Sequence, residues 1–114
     1  MKIFNATKRT LLADDVKVAR TFLERSIGLL NRENLKNKEA LVLPSCQCIH
    51  MFFMKFSIDV IFMGKDDKII GMADHVNPFE VSPFFIKAVT AIELPAGTIE
   101  TTRSEIGDVV EFQD

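Results

Sequence analysis

Between Cys46 and Met63 the chain reads CQCIHMFFMKFSIDVIFM, its densest apolar stretch, and any fold must find cover for it. With a period of two, Cys46, Cys48, His50, Phe52, Met54, Phe56, Ile58, Val60 and Phe62 share one parity, and all but His50 are apolar or cysteine. The other parity, from Gln47 to Met63 by way of Lys55, Ser57 and Asp59, mixes apolar and polar side chains, as on a strand face covered only in part. No stripe at 3.6-residue spacing runs through the stretch, and Phe, Ile and Val suit a pleated surface. It therefore predicts two strands joined near Lys55 to Ser57, with Phe52, Ile58, Val60 and Phe62 in the core. One extra residue at the join exchanges the faces beyond it, so the parity is expected to hold within each half.

The remaining segments read as short strands around one helix. Met1 to Thr7 and Thr10 to Ala19 form a meander-like opening about the turn Thr7-Lys8-Arg9, with a second turn at Asp14-Asp15. Thr21, three residues before Glu24, has the spacing of a capping box, and Phe22, Leu23, Ile27 and Leu30 make one apolar side. A helix is expected over 21–31. Arg32 to Glu39 is a polar linker anchored by Leu35, and Ala40 to Leu43 is a buried strand stopped by Pro44-Ser45. Gly64 to Asp67 predicts a hairpin turn into Lys68 to Ala73. Asn77-Pro78 and Ser82-Pro83 bracket a looser segment whose Phe79, Phe84 and Phe85 are expected to cap the core. Strands follow at Ala88 to Leu94 and Val109 to Phe112, separated by turns at Pro95-Ala96-Gly97 and Gly107-Asp108. The fold class expected is α+β and β-rich: a compact open or barrel-like sheet of about seven to eight short strands with one main helix packed on it. Residues 1–114 are expected to form a single domain, with no repeat or linker dividing them.

Composition narrows the function classes. Ten Phe stand without a single Trp or Tyr, so the core is built from rings with no polar handle. Residues 1–39 carry nine Lys and Arg against five Asp and Glu, and residues 40–114 five against eleven. Neither half shows a basic stripe, and no nucleic-acid partner is expected. The opening MKIFNATKRTLL has no signal-peptide h-region, and no run approaches the ~20 apolar residues of a membrane span. A cytoplasmic location, with reduced thiols, is the expectation.

Several side chains have chemistry available to them. Arg25 and Arg32 lie two helical turns apart, and with Lys55 and Asp59 they are candidates for an anion-binding cluster. The alternative is solvated charges, one of them paired with Asp59 or Glu93. Asp59 is a candidate to accept backbone amides and hold the adjoining turn, and Glu93, before Pro95-Ala96-Gly97, has the same two readings. Cys46, Cys48 and His50, on one face of an extended strand, are weak candidates for zinc or copper. Their spacing of about 6.6 Å along a strand is too wide for compact ligation. Both thiols are expected as small core groups, and His50 as a partner of a backbone carbonyl.

Arg25 to Arg32, Cys48 to Phe62, Glu93-Leu94-Pro95-Ala96-Gly97 and Gly107-Asp108 together resemble, in order and over nearly the whole chain, the uncharacterised family DUF192, also called UPF0127. Ser57 stands where that family commonly has proline, and Leu30 where it commonly has methionine. The resemblance implies a compact β-rich domain and supplies no reaction or catalytic residue. No Ser-His-Asp order, phosphate loop, HExxH or paired CxxC occurs. The expectation is a non-catalytic binding or accessory domain without a cofactor, its partner a protein or a small molecule; the alternative is an enzyme built on Arg25, Arg32, Lys55 and Asp59.

Overall fold

The computed structural model describes residues 1–19, 33–49, 51 and 54–114. The helix expected over 21–31, with Arg25 and Arg32, lies outside the described residues, as do His50 and Phe52. Eight strands are present among the described residues: β1 (Lys2–Asn5), β2 (Thr10–Ala13), β3 (Asp15–Val18), β4 (Glu39–Pro44), β5 (Ile58–Met63), β6 (Ile69–Val76), β7 (Thr90–Pro95) and β8 (Val110–Gln113). A four-residue helix, α1 (Thr98–Thr101), follows β7. The strands make two open sheets, one of order β2-β1-β8 and one of order β3-β4-β7-β5-β6. The protein is therefore β-rich as the patterning predicts, with the open alternative realised and no barrel closure.

The strand β5 is the keel of the larger sheet. Hydrogen-bonded to β7 on one side and β6 on the other, it buries all six of its residues. Ile58, Val60 and Phe62 enter a core with Leu41, Leu43 and Ala91, while Ile61 and Met63 enter a second core with Val42, Ile92 and Leu94. Each such side chain, fully removed from water, contributes roughly 1.5–3 kcal/mol. The second core is completed by Ile3, Leu12, Ala13 and Val110 of the three-stranded sheet. One face of the five-stranded sheet is thus covered by a sheet.

Among the described residues, irregular chain lies on its other face. Ala19, Leu35, Cys46, Ile49, Met51, Met54 and Ala88 pack there. The Phe85 ring lies 4.7 Å, centroid to centroid, from that of Phe62. It also lies so close over Gly71 that a Cβ there would overlap the ring, which explains a glycine in the middle of β6.

Four expectations need correction. The segment from Cys46 to Met54 is not a strand among its described residues, because its backbone groups are taken up one by one by the 79–85 segment rather than by a ladder. The Ser82 N–H donates to Ile49 O at 2.9 Å, the Phe85 N–H to Gln47 O at 2.8 Å and the Met51 N–H to Glu80 O at 2.7 Å. Its parity fails with it: Ile49 and Met51, on the face expected to be half-covered, are buried. The opening is not a continuous meander. The Asp14 and Asp15 N–H groups both donate to Lys38 O, which steers β3 into the other sheet, parallel to β4. Third, Phe79 and Phe84 do not cap the core but are 63% and 61% exposed, and Phe85 alone of the three packs on it. Finally, the turn after Pro95 continues into α1: Gly97, at φ 97°, takes the left-handed conformation from which the helix starts.

Candidate functional site

Asp59 is a charged residue inside β5, and it is completely buried. Opposite it on β6 stand two residues, Asp74 and His75, because the register between β5 and β6 shifts between Ile58 and Val60. His75, at φ 50°, leaves the ladder at that bulge, and its N–H donates to Asp59 Oδ1 at 2.9 Å. The other oxygen, Oδ2, accepts from the Gly97 N–H at 3.0 Å and the Ile99 N–H at 2.9 Å. One carboxylate thus ties the β6 bulge and the start of α1 to the central strand. The sequence pointed to Asp59 as a holder of its own turn; the backbone it holds belongs to two other segments.

Of the remaining candidates, Lys55, Glu93, Cys46 and Cys48 lie among the described residues. Lys55 is exposed, its ammonium 3.4 Å from Glu33 Oε1. Glu93 is half-buried on β7, in register with Leu41 on β4 and Val60 on β5. Cys46 is buried and Cys48 half-buried, neither in a disulfide, and the Cys46 thiol donates to the Cys48 carbonyl at 3.1 Å. Among the described residues no three His, Cys, Asp or Glu side chains stand close enough to hold a metal ion.

A second buried polar cluster escaped sequence reasoning. Asn5, completely buried on β1, donates through Nδ2 to Ser104 Oγ at 3.1 Å and to Asp108 Oδ2 at 2.9 Å. Its Oδ1 accepts the Lys8 N–H at 3.0 Å. The Lys8 ammonium reaches Asp108 Oδ2 at 2.8 Å and Glu105 Oε1 at 3.0 Å, and the Glu105 N–H adds a third bond to the same Asp108 oxygen. Burial by itself pushes the Asp108 carboxyl up, but the bonds from Asn5, Lys8 and Glu105 outweigh it and hold the group below its ordinary 3.8. The bond to Asp108 raises Lys8 above 10.5 against partial desolvation, with Glu105 adding to the rise. The cluster ties the first hairpin to the loop before β8. The available signal was an asparagine closing an apolar strand beside a Gly-Asp turn.

Among the described residues, apolar side chains face solvent at a groove and along a ridge. A groove of about 270 Å³ at the edge between the sheets is lined by Met1, Val18, Val42, Pro44 and Phe112, with Asp114 at its rim. The segment after Pro78 forms a ridge, with Val81 57%, Phe84 61%, Ile86 74% and Val89 45% exposed. The hydrogen bonds at Ser82 and Phe85 turn those two residues inward, and the turn closed by the Ala88 N–H on Phe85 O throws Ile86 and Lys87 outward.

These observations define a β-rich two-sheet protein whose buried carboxylates bind its own backbone. The chain belongs to the DUF192 family, described as Uncharacterized ACR, whose pattern matches residues 3–112. It is 33% identical over 118 residues to a UPF0127 protein of Thermococcus sibiricus, covering 97% of this chain and 74% of that protein. To a UPF0127 protein of Pyrococcus horikoshii it is 31% identical over 116 residues, covering 96% of this chain and 97% of the other. Among solved structures, a protein of unknown function from Novosphingobium aromaticivorans superposes with a TM-score of 0.82 at 22% identity, covering 97% of this chain and 82% of that one. A Sinorhizobium meliloti protein provisionally named a transcription regulator does so with a TM-score of 0.78 at 19% identity, covering 96% and 89%. At those identities the likeness is one of fold.

Proposed function

We propose that residues 1–114 form one non-catalytic binding domain, cytoplasmic and without a cofactor, that docks a protein partner through the 81–89 ridge. The observation that carries this reading is the ridge itself: four large apolar side chains within nine residues, about half or more exposed. Patches of that kind mark interaction surfaces more often than bare monomer surface. Asp59 supports the non-catalytic half of the reading, because it is inaccessible to a substrate and both its oxygens already accept backbone amides. A nucleic-acid partner, which the name of the Sinorhizobium protein would suggest, is not part of it, since Lys and Arg form no stripe in the sequence.

The test is a photo-reactive amino acid placed at position 86, and for contrast at position 65 in the exposed β5–β6 turn, in the native host. A discrete adduct from position 86 and none from position 65 is expected. No adduct from either position would overturn the proposal.

A further inference from the structure

We infer that the occupant of the ridge is a second copy of this chain, related by a two-fold axis passing between Pro83 and Phe84. The inference rests on the reading of the ridge as a docking surface and adds the identity of what docks. A two-fold interface must be self-complementary, since each surface meets its own image. Such an axis sets Glu80 against the partner's Lys87, Val81 against the partner's Ile86, Ser82 against the partner's Phe85 and Pro83 against the partner's Phe84. Three of the four pairs match in character, acid with base and apolar with apolar, and the fourth is Ser82 with Phe85. Exposure matches as well, for Glu80, Val81, Pro83, Phe84, Ile86 and Lys87 are all exposed, while Ser82 and Phe85, the two residues turned inward, map onto each other.

The charges sit where a rim belongs. Glu80 and Lys87 close the two ends of the apolar run, and the Glu80 carboxylate is anchored by the Asn77 N–H at 2.6 Å. Two ion pairs of that kind bring specificity of register more than affinity. The area suits the apolar centre of such an interface. An aromatic side chain offers 150–250 Å², so Phe84 alone presents roughly 100–150 Å², and with Val81, Ile86 and Val89 the apolar patch reaches roughly 400 Å². With Glu80, Pro83 and Lys87 around it, the ridge forms the centre of an interface whose standard size is ~800 Å² per partner. The aromatic ring at its centre is the residue type that dominates such contacts.

Sedimentation equilibrium of the wild-type chain over about 1 to 500 µM tests the inference, this range reaching the micromolar end of the affinities that standard interfaces show. A monomer–dimer equilibrium is expected. Ile86→Asp should abolish the dimer while circular dichroism shows the fold unchanged. Glu80→Lys and Lys87→Glu should each weaken it about tenfold, because each creates two like-charge contacts. A one-to-one mixture of those two variants should restore it, because the mixed pair brings each lysine opposite a glutamate. A wild type that stays monomeric overturns the second copy as occupant; an adduct from position 86 to a different protein would then leave the docking reading standing, whereas no adduct would remove both. A dimer that survives Ile86→Asp places the contact elsewhere, and a mixture no tighter than its components overturns the two-fold register.

Discussion

The two faces of the five-stranded sheet are covered in opposite ways. Against one lies a second sheet, with Ile3, Leu12 and Val110 interlocked with Ile61, Ile92 and Leu94, and at its margin Asn5 donates to both Ser104 and Asp108. Against the other lies, among the described residues, irregular chain held through single backbone bonds at Met51, Ser82 and Phe85. On the regular side Met1, Ile106, Val109 and Phe112 are exposed at separate places along the chain; on the irregular side Val81, Phe84 and Ile86 stand in water within six residues. A strand sends alternate side chains inward by its own geometry, whereas an irregular segment points each residue where its individual hydrogen bonds leave it. Surface available to a partner is the result.

Substitutions ranked by expected effect sharpen that contrast. Phe62→Ala removes a completely buried ring that Phe85 packs against, and should cost about 3–5 kcal/mol in chemical denaturation. A loss below about 1 kcal/mol would mean that the irregular cover does not seal its core. Asp59→Ala leaves the amides of His75, Gly97 and Ile99 without their acceptor, for an expected loss of about 3 kcal/mol. Asp59→Asn, which keeps an oxygen, should recover part of it. Cys46→Ala together with Cys48→Ala should cost only about 1–2 kcal/mol and preserve the circular dichroism spectrum. Loss of the fold, accompanied by stoichiometric zinc or copper in the wild type by elemental analysis, would make that stretch a metal site.

Acid reads out the polar cluster. Asp108 is held below 3.8 in the folded protein, so the unfolded chain takes up its proton first. Its contribution is complete above 3.8 and is lost as pH falls through the lowered folded value. Lys8, raised above 10.5, behaves in the opposite sense, contributing fully below 10.5 and losing its effect as pH rises through the raised value. The urea midpoint should therefore drop below pH 3.8 more steeply in the wild type than in Asp108→Asn, and parallel curves would contradict this. The smallest effect belongs to the ridge. Phe84→Ser, at a side chain that is mostly in water, should change the stability of the dilute protein by no more than about 0.5 kcal/mol. A larger loss would place Phe84 in the core after all.

Much of this was legible in the chain. Ile58 to Met63 announces a strand through its β-branched and aromatic residues, Gly64 to Asp67 a hairpin, and Pro44-Ser45 the end of β4, because each rests on local backbone preference. Phe79 and Phe84 show where that reasoning stops. Hydrophobicity says that an aromatic ring gains by burial, but it carries no information on whether the core still has room for it. Cys46 to Met54 has the alternation of a strand, yet its described residues form none, because the 79–85 segment, remote in sequence, binds their backbone irregularly.

The sequence by itself determined the β-rich class, the turns and the membership of Ile58, Val60 and Phe62 in the core, since propensity and periodicity act over a few residues. Tertiary structure alone decided that β3 crosses to pair in parallel with β4, that Asp59 binds the amides of His75, Gly97 and Ile99, and that Asn5 meets Asp108 across 103 residues. A buried carboxylate or amide takes whichever donors the packed chain brings to it, and that choice is made by the whole fold at once.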